Sequence, residues 1–126
     1  MITYAANTTA VFDAWWSECD EGLQDAITVH VRLLTAEGPQ LGRPYVDTLK
    51  GSSIVNLKEL RVQYQGDPYR ILFVFDPRRE ALLLLGGNKR SSKRWYRTAI
   101  RQAEELYARH LQDLEEQNGP TVQRID

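Results

Sequence analysis

Apolar residues recur every three to four positions along the first third of the chain. One such run extends from Val11 to Trp16, after a threonine at position 8 or 9 that can cap a helix. A second run extends from Leu23 to Leu34 and ends at Gly38 and Pro39. We place the break between the two runs at Gly22, so the pattern predicts an N-terminal helical hairpin.

The spacing changes from helical to alternating after Asn56. Residues 59–64 alternate between apolar and polar, which predicts a half-exposed strand. A turn at 66–68 leads to a second strand at 69–75, and the apolar run 81–86 predicts a third strand that is central in the sheet. These strands form an antiparallel meander. The exposed face of the first strand is predicted to carry Glu59, Arg61 and Gln63.

A third helix follows the meander. Ser91 or Ser92 can cap it, and apolar residues from Trp95 to Leu114 repeat at helical spacing. Residues 118–126 lack this repeat and are predicted to form a flexible tail. A short strand is expected at Ile2 and Tyr4, whereas residues 41–52 predict an irregular connection. The whole chain, 1–126, is therefore predicted to be one α+β domain, with the hairpin and the last helix packed on a small twisted antiparallel sheet.

The overall net charge of −1 hides an uneven distribution. Residues 1–49 carry two basic and seven acidic side chains, a net charge of −5, and residues 102–126 carry two and six, a net charge of −4. Residues 50–101 carry twelve basic and four acidic side chains, a net charge of +8. A charge block is commonly a solvated face, but a basic segment is also what a nucleic-acid binder requires.

Several classes of protein are disfavoured by composition. One cysteine, Cys19, cannot form an internal disulfide, and two histidines do not provide a metal-ligand spacing, so we expect neither a metal nor another cofactor. The N-terminus does not resemble a signal peptide, and no apolar stretch approaches membrane-spanning length, so we expect a cytoplasmic protein. No Ser-His-Asp, Cys-His or paired-carboxylate arrangement can be assembled.

The basic residues of the middle segment fall into a strand group and a group after the third strand. Arg70 is the most informative, because its strand face otherwise carries Leu72 and Val74 and a cation among apolar side chains is costly without an anion. A structural ion pair with Asp67 or Asp76 is the alternative. The strand group is Lys58, Arg61 and Arg70, and the second group is Lys89, Arg90, Lys93, Arg94 and Arg97.

The second basic group lies where a helix begins. Two glycines before Asn88 let the chain turn, and the N-terminus of the following helix can attract a phosphate. The spacing does not match a Walker P-loop. Trp95 and Tyr96 open the helix, and aromatic rings among basic residues commonly stack RNA bases. We expect Trp95 to be the buried ring and Tyr96 the accessible one.

Four strings carry a family resemblance, which extends over most of the chain, roughly from the first helices to the end of the last. They are LGRPYVDTLKGS, NLKELRVQY, DPYRILFVFDPRREALLLLGGNKR and KRWY. In this order they resemble the HigB-type toxins of the RelE/ParE superfamily, which implies a compact RelE-like α+β fold. The resemblance also implies a type II toxin-antitoxin system, a HigA-like helix-turn-helix antitoxin as partner, and cleavage of messenger RNA on the ribosome.

The resemblance assigns roles to individual residues. It implies that Arg70 faces the scissile phosphate, that Arg90 is the family's basic residue just after the last strand, and that Tyr96 is the family's tyrosine six residues later. Arg61 and Lys89 complete the expected catalytic set. The residues expected to bind RNA are Lys58, Lys93, Arg94 and Arg97.

Residues of this kind suit RNA cleavage without a metal. The 2′-hydroxyl attacks the adjacent phosphate, and arginines stabilise the charge that develops on its oxygens. Lys89 or Arg90 could donate the proton to the leaving oxygen, and Lys58 or a ribosomal group could activate the hydroxyl. Two alternatives remain: inhibition of DNA gyrase, as in ParE-like relatives, and a non-catalytic relative that retains only antitoxin binding.

Overall fold

A computed structural model gives the fold of residues 3–90 and 93–125, with side chains as far as residue 117. It contains five strands, three α-helices and one short 3-10 helix. In chain order these are β1 (Ala6–Thr8), α1 (Ala10–Glu18), α2 (Glu21–Glu37), the 3-10 helix (Gly38–Gln40), β2 (Val46–Thr48), β3 (Lys58–Tyr64), β4 (Asp67–Phe75), β5 (Ala81–Asn88) and α3 (Lys93–Ile125).

The five strands form one mixed sheet in the order β1-β5-β4-β3-β2. The predicted meander is confirmed, because β3, β4 and β5 pair antiparallel in sequence order. The predicted α+β class is confirmed, and the sheet is mixed rather than antiparallel throughout, since β1 pairs parallel to β5. β5 lies between two strands, as its apolar faces predicted, but β4 is the middle strand.

Two segments differ from their predicted structure because their partners are distant in sequence. The first strand begins at Ala6 rather than Tyr4, since the Tyr4 N–H donates to the Thr35 carbonyl at 2.8 Å; Ile2 lies outside the described residues. The connection 41–52 contains β2, which pairs with β3 through Val46 opposite Leu60. β1 and β2 are three residues each, which is too short for an alternation of apolar and polar residues to predict a strand.

The helical hairpin is confirmed, with a different boundary. Thr9 caps α1 by accepting from the Phe12 N–H at 3.0 Å, and Asp20 caps α2 by accepting from the Leu23 N–H at 2.8 Å. Gly22 is therefore inside α2 and does not break the helix. A β-carbon at Gly22 would collide with the Tyr64 ring, so this glycine allows α2 to pack closely against β3.

The last helix covers the opposite face of the sheet. The predicted caps, Ser91 and Ser92, lie outside the described residues. The structure continues α3 to Ile125, past residue 118, where the predicted tail begins. The apolar repeat marks the part of the helix that contacts the sheet, and helical backbone does not require that contact to continue.

The sheet separates two apolar cores. Leu60, Val62, Ile71 and Phe73 face α1 and α2, whereas Leu57, Leu72, Leu82 and Leu84 face α3. Side chains from the apolar run of β5 contribute to both cores, which explains why apolar and polar residues do not alternate along this strand.

The turn between β3 and β4 sets which residues face each core. Tyr64 pairs with Asp67, so the loop consists of Gln65 and Gly66, both in the left-handed region with φ of 49° and 82°. This two-residue loop is the type that favours tight hairpins, and it replaces the turn predicted at 66–68. The resulting register puts Arg61 directly opposite Arg70. A one-residue slip would turn Arg70 to the other face.

Asp76, at the end of β4, connects the sheet to α3. One carboxylate oxygen lies 2.9 Å from His110 Nε2 and accepts from Arg78 at 3.0 Å, and the other accepts the backbone N–H groups of Arg78 and Glu80. Burial acts to raise the pKa of Asp76, but these hydrogen bonds outweigh it and hold the pKa below its ordinary value of 3.8. The ionised form is therefore the one that stabilises the fold.

Replacing this carboxylate should destabilise the protein in a pH-dependent way. We expect Asp76→Asn to lower the free energy of unfolding at pH 7 by roughly 1.5–3 kcal/mol, the contribution of hydrogen bonds to a charged group. Because the pKa of Asp76 is lower in the folded state, the stability that Asp76 contributes in the wild type is fully present above pH 3.8. It is lost as the pH falls through the folded-state pKa. Urea unfolding from pH 7 to pH 2.5 measures both variants, with the exposed Asp113→Asn as control. An equal loss in the control, or a pH-independent difference, would contradict this role.

Candidate functional site

Two adjacent strands present charged residues on the face that α3 covers. On β3, Glu59 and Arg61 are two positions apart and so share this face, and on β4 Arg70 lies opposite Arg61. Tyr96, in the first turn of α3, reaches the same group of side chains. This group of side chains, the Glu59 cluster, consists of Glu59, Arg61, Arg70 and Tyr96.

Glu59 is the centre of this cluster. Its side chain accepts from Arg61 Nε at 3.2 Å, lies 3.5 Å from Arg70 Nε, and accepts a short hydrogen bond from the Tyr96 hydroxyl. Only 2% of Glu59 is exposed, so the prediction that it lies on the exposed face of β3 is wrong. The physical reason is that α3 covers this end of the sheet, and the alternation within β3 does not reveal which element covers its polar face.

Arg70 is buried, with 7% of its surface exposed. Its Nη1 donates to the Tyr69 carbonyl at 3.0 Å, and its Nε, although close to Glu59, makes no hydrogen bond within the described structure. The predicted alternative partners, Asp67 and Asp76, are wrong, because these residues bind Arg90 and His110 respectively. The anion that compensates Arg70 is therefore Glu59, which comes from the neighbouring strand.

Tyr96 joins α3 to the cluster. Burial, followed by the Glu59 carboxylate, raises the pKa of Tyr96 to about 12, although Arg70 acts in the opposite direction. The hydroxyl is therefore protonated at neutral pH and acts as a hydrogen-bond donor. Tyr96 is half-buried rather than openly accessible. Trp95 is also half-buried and packs against Gly87, where a β-carbon would lie 2.7 Å from the indole nitrogen.

The other predicted basic residues divide between this cluster and other surroundings. Lys89 Nζ lies 5.8 Å from the centre of the Tyr96 ring, a cation–π distance. Arg90 is exposed and pairs with Asp67, away from Glu59. Lys58 is next to Glu59 in β3 and so lies on the opposite face, where its Nζ is 3.3 Å from the Thr48 hydroxyl. The exposed cations in the first turns of α3 are Lys93, Arg94 and Arg97.

A cleft opens beside the cluster. Its volume is about 470 Å³, and both arginines line it, together with residues of α2, of β3 and of the turn before β2. Arg61 keeps 32% of its side chain exposed despite its contact with Glu59. An anionic group in this cleft can therefore meet two guanidinium groups that are already held in place.

Sequence reasoning missed Glu59, although one signal for it was present. A carboxylate two residues from Arg61, across a tight hairpin from Arg70, is placed to compensate both cations. Recognising it required the hairpin register. Within residues 3–90 and 93–125, no group of three or more His, Cys, Asp or Glu side chains is arranged to hold a metal ion. No helix in those ranges has the length and apolar content to cross a membrane.

Removing Glu59 should destabilise the fold, because Arg70 would remain buried without an anion. We expect Glu59→Ala to lower the free energy of unfolding by roughly 3–5 kcal/mol, and Glu105→Ala, an exposed change on α3, to have little effect. Adding Arg70→Met to Glu59→Ala should recover part of the loss, since the uncompensated charge is removed. Urea unfolding followed by circular dichroism measures all four proteins. No recovery in the double variant would show that charge compensation is not the cause.

Comparison with known proteins identifies a family and two sequence relatives. A model of the family described as "Phage derived protein Gp49-like (DUF891)" matches residues 14–108. The chain is 42% identical over 105 residues to "Putative toxin HigB2" of Mycobacterium tuberculosis, which covers 82% of this chain and 52% of that relative. It is 46% identical over 85 residues to "Putative toxin HigB3" of the same organism, with coverages of 67% and 73%. The chain thus spans about half the length of the first relative.

A solved structure shows the same fold at low sequence identity. The isolated RelE toxin of E. coli superposes with a TM-score of 0.53 over 78% of this chain and 97% of that one, at 11% identity. That likeness concerns the fold alone, and the sequence relatives carry the family assignment. The chain belongs to the Gp49-like family and is a HigB-type protein.

Proposed function

We propose that this protein is the toxin of a toxin-antitoxin system and that it inhibits translation by cutting messenger RNA on the ribosome. The observation that carries the proposal is the pair of guanidinium groups, Arg61 and Arg70, which line one cleft and are held by one buried carboxylate. Both HigB-type relatives are named as toxins, which supports the first part of the proposal.

The proposed reaction is an internal transesterification. The 2′-hydroxyl oxygen attacks the adjacent phosphorus, a new P–O2′ bond forms and the P–O5′ bond breaks, leaving a 2′,3′-cyclic phosphate and a 5′-hydroxyl. One proton leaves the 2′-hydroxyl and one is delivered to O5′. No oxidant or reductant takes part, so the protein has to stabilise charge and assist two proton transfers.

Arg61 and Arg70 would stabilise the charge on the phosphate oxygens. Donors that are positioned before the reaction do not have to reorganise during it, and this is usually the largest electrostatic contribution to catalysis. Glu59 and the Tyr69 carbonyl already position Arg70. Tyr96 is proposed to act as a positioning residue, because its hydroxyl donates to Glu59.

Lys89 is the better supported proton donor of the two that the sequence suggested. It lies beside Tyr96, whereas Arg90 pairs with Asp67. An ammonium group can release a proton far more readily than a guanidinium. We assign Arg90 to the RNA backbone, together with the exposed cations of α3. Since Lys58 contacts Thr48 on another side of β3, a ribosomal group is proposed to activate the 2′-hydroxyl.

The partners of the protein are also proposals. Membership of the HigB type supports an antitoxin, which we expect to be HigA-like with a helix-turn-helix. The reaction requires a ribosome and messenger RNA, and therefore a cytoplasmic location.

The arginine geometry can be tested without removing the buried charge. Arg70→Lys keeps a cation near Glu59 but loses the planar fork that binds two phosphate oxygens. We expect cleavage to fall by about 100-fold to 1,000-fold. Mapping of messenger RNA 5′ ends in a translating extract measures it, with Arg101→Lys, an exposed change on α3, as control.

The same mapping, together with assays of DNA gyrase supercoiling and of antitoxin binding, separates the alternatives. Cuts within translated codons that persist in Arg70→Lys at the wild-type rate would overturn the role of Arg70. A wild-type protein that cuts nothing but blocks supercoiling by DNA gyrase would select the ParE-like activity instead. A folded protein with neither effect that still binds its antitoxin would be a non-catalytic relative.

Proton donation by Lys89 predicts a selective chemical rescue. Lys89→Ala should slow cleavage of ordinary messenger RNA more than Arg90→Ala does. Replacing O5′ at the cut by sulfur gives a leaving group that needs no proton, so cleavage of that RNA should be almost insensitive to Lys89→Ala. An equal defect on both RNAs would instead indicate that Lys89 only binds the substrate.

A further inference from the structure

The cleft beside the Glu59 cluster is lined by six residues, of which the proposed chemistry uses only the two arginines. The lining residues are His30, Pro44, Tyr45, Arg61, Gln63 and Arg70. The two arginines are cationic, whereas Tyr45 and Gln63 offer an aromatic ring and an amide. We propose that this cleft is a nucleobase subsite for single-stranded RNA, in which the base stacks on Tyr45 and its edge is read by Gln63. This inference rests on the proposed function, because the phosphate of the bound nucleotide would lie against the arginines.

Tyr45 differs from the other aromatic residues in its exposure. Among the aromatic side chains of residues 3–90 and 93–117, Tyr45 alone is exposed, with 41% of its surface accessible. The other exposed large apolar residues in those ranges, Val29, Val55 and Leu111, are aliphatic and do not line this cleft. An accessible ring beside two guanidinium groups is the combination that binds single-stranded RNA.

Neighbouring groups hold Tyr45 in place. Its carbonyl accepts from the Arg61 N–H at 2.8 Å, which fixes the residue beside β3, and its own N–H donates to the Gly42 carbonyl at 3.1 Å. The His30 ring meets the tyrosine ring edge-on, with centres 6.1 Å apart, and His30 Nδ1 is itself 2.8 Å from the Ala26 carbonyl. The ring is therefore positioned before a base arrives, so little order has to be gained on binding.

Gln63 is placed to distinguish bases. It is exposed, and it lies on the same face of β3 as Arg61, two residues away. A primary amide both donates and accepts hydrogen bonds, so it can match the edge of one base and leave an unpaired group against another. A stacking ring is tolerant of sequence, because every base has a π face. We therefore assign affinity to Tyr45 and base preference to Gln63.

Binding of short RNA tests the subsite separately from cleavage. The probes are single-stranded trinucleotides with a 2′-O-methyl group that prevents cutting, one for each central base and one with an abasic central sugar. We expect Tyr45→Ala to weaken binding of the base-containing probes by roughly 5-fold to 150-fold, the range for loss of one stacked base. Tyr45→Phe should bind like wild type, and so should Val29→Ala, a matched exposed change elsewhere.

The abasic probe makes the test specific for stacking. Removing the base should weaken binding to wild type, but it should cost little in Tyr45→Ala, where the platform is already absent. Gln63→Ala should reduce the differences among the four base-containing probes and leave the abasic probe unaffected. Equal losses from base removal in wild type and Tyr45→Ala would overturn the proposal. So would wild-type affinity in a folded Tyr45→Ala protein, or a Tyr45 dependence of antitoxin binding with none for RNA.

The result is distinguishable from failure of the proposed function. Tyr45-dependent binding by a protein that cuts no messenger RNA would support the subsite and reject the cleavage. Messenger RNA cleavage that depends on Arg70 but is unaffected by Tyr45→Ala in both rate and binding would do the reverse. Thermal unfolding of each variant checks that a loss of binding is not a loss of fold.

Discussion

The candidate site depends on the interaction of the Glu59 carboxylate with Arg61 and Arg70. Two arginines directly opposite each other on neighbouring strands repel, and one of them, Arg70, is buried. A negative charge between them offsets both costs, provided that it too is shielded from water and hydrogen-bonded. Glu59 meets this condition by accepting from Arg61 and from Tyr96. The site is therefore part of the packing between the sheet and α3.

Two carboxylates attach α3 to the sheet. Glu59 binds Tyr96 in the first turn of the helix, and Asp76 binds His110 almost four turns later. Between these contacts, Ala99 and Ala103 pack into the apolar core that α3 shares with the sheet. Small residues there bring the helix close enough for both polar contacts to form. The position of Tyr96 thus follows from packing along the helix as well as from its own hydrogen bond.

Sequence periodicity was sufficient wherever the relevant contacts are local. It predicted both N-terminal helices, the three-stranded meander and the unusual surroundings of Arg70. It failed at Glu59, at β1 and at β2, because each depends on an element distant in the chain. Alternation shows that Glu59 shares a face with Arg61, but not that α3 covers that face. The nearest anion in the sequence, Asp67, was a reasonable partner for Arg70, and only the register of the hairpin shows that Glu59 is the partner instead.

The charge distribution bears on how the proposed substrate would reach the site. The net charge of −1 gives little long-range attraction to RNA, and charges farther apart than about 8 Å are largely screened at physiological salt. Two cations, Arg61 and Arg70, line the cleft and are fixed there, and Lys89 lies beside Tyr96 of the Glu59 cluster. Such an arrangement favours strong contacts at short range over capture from solution. It suits an RNA strand that another assembly already holds in an extended form, as a ribosome does, because delivery then does not depend on the protein's own field.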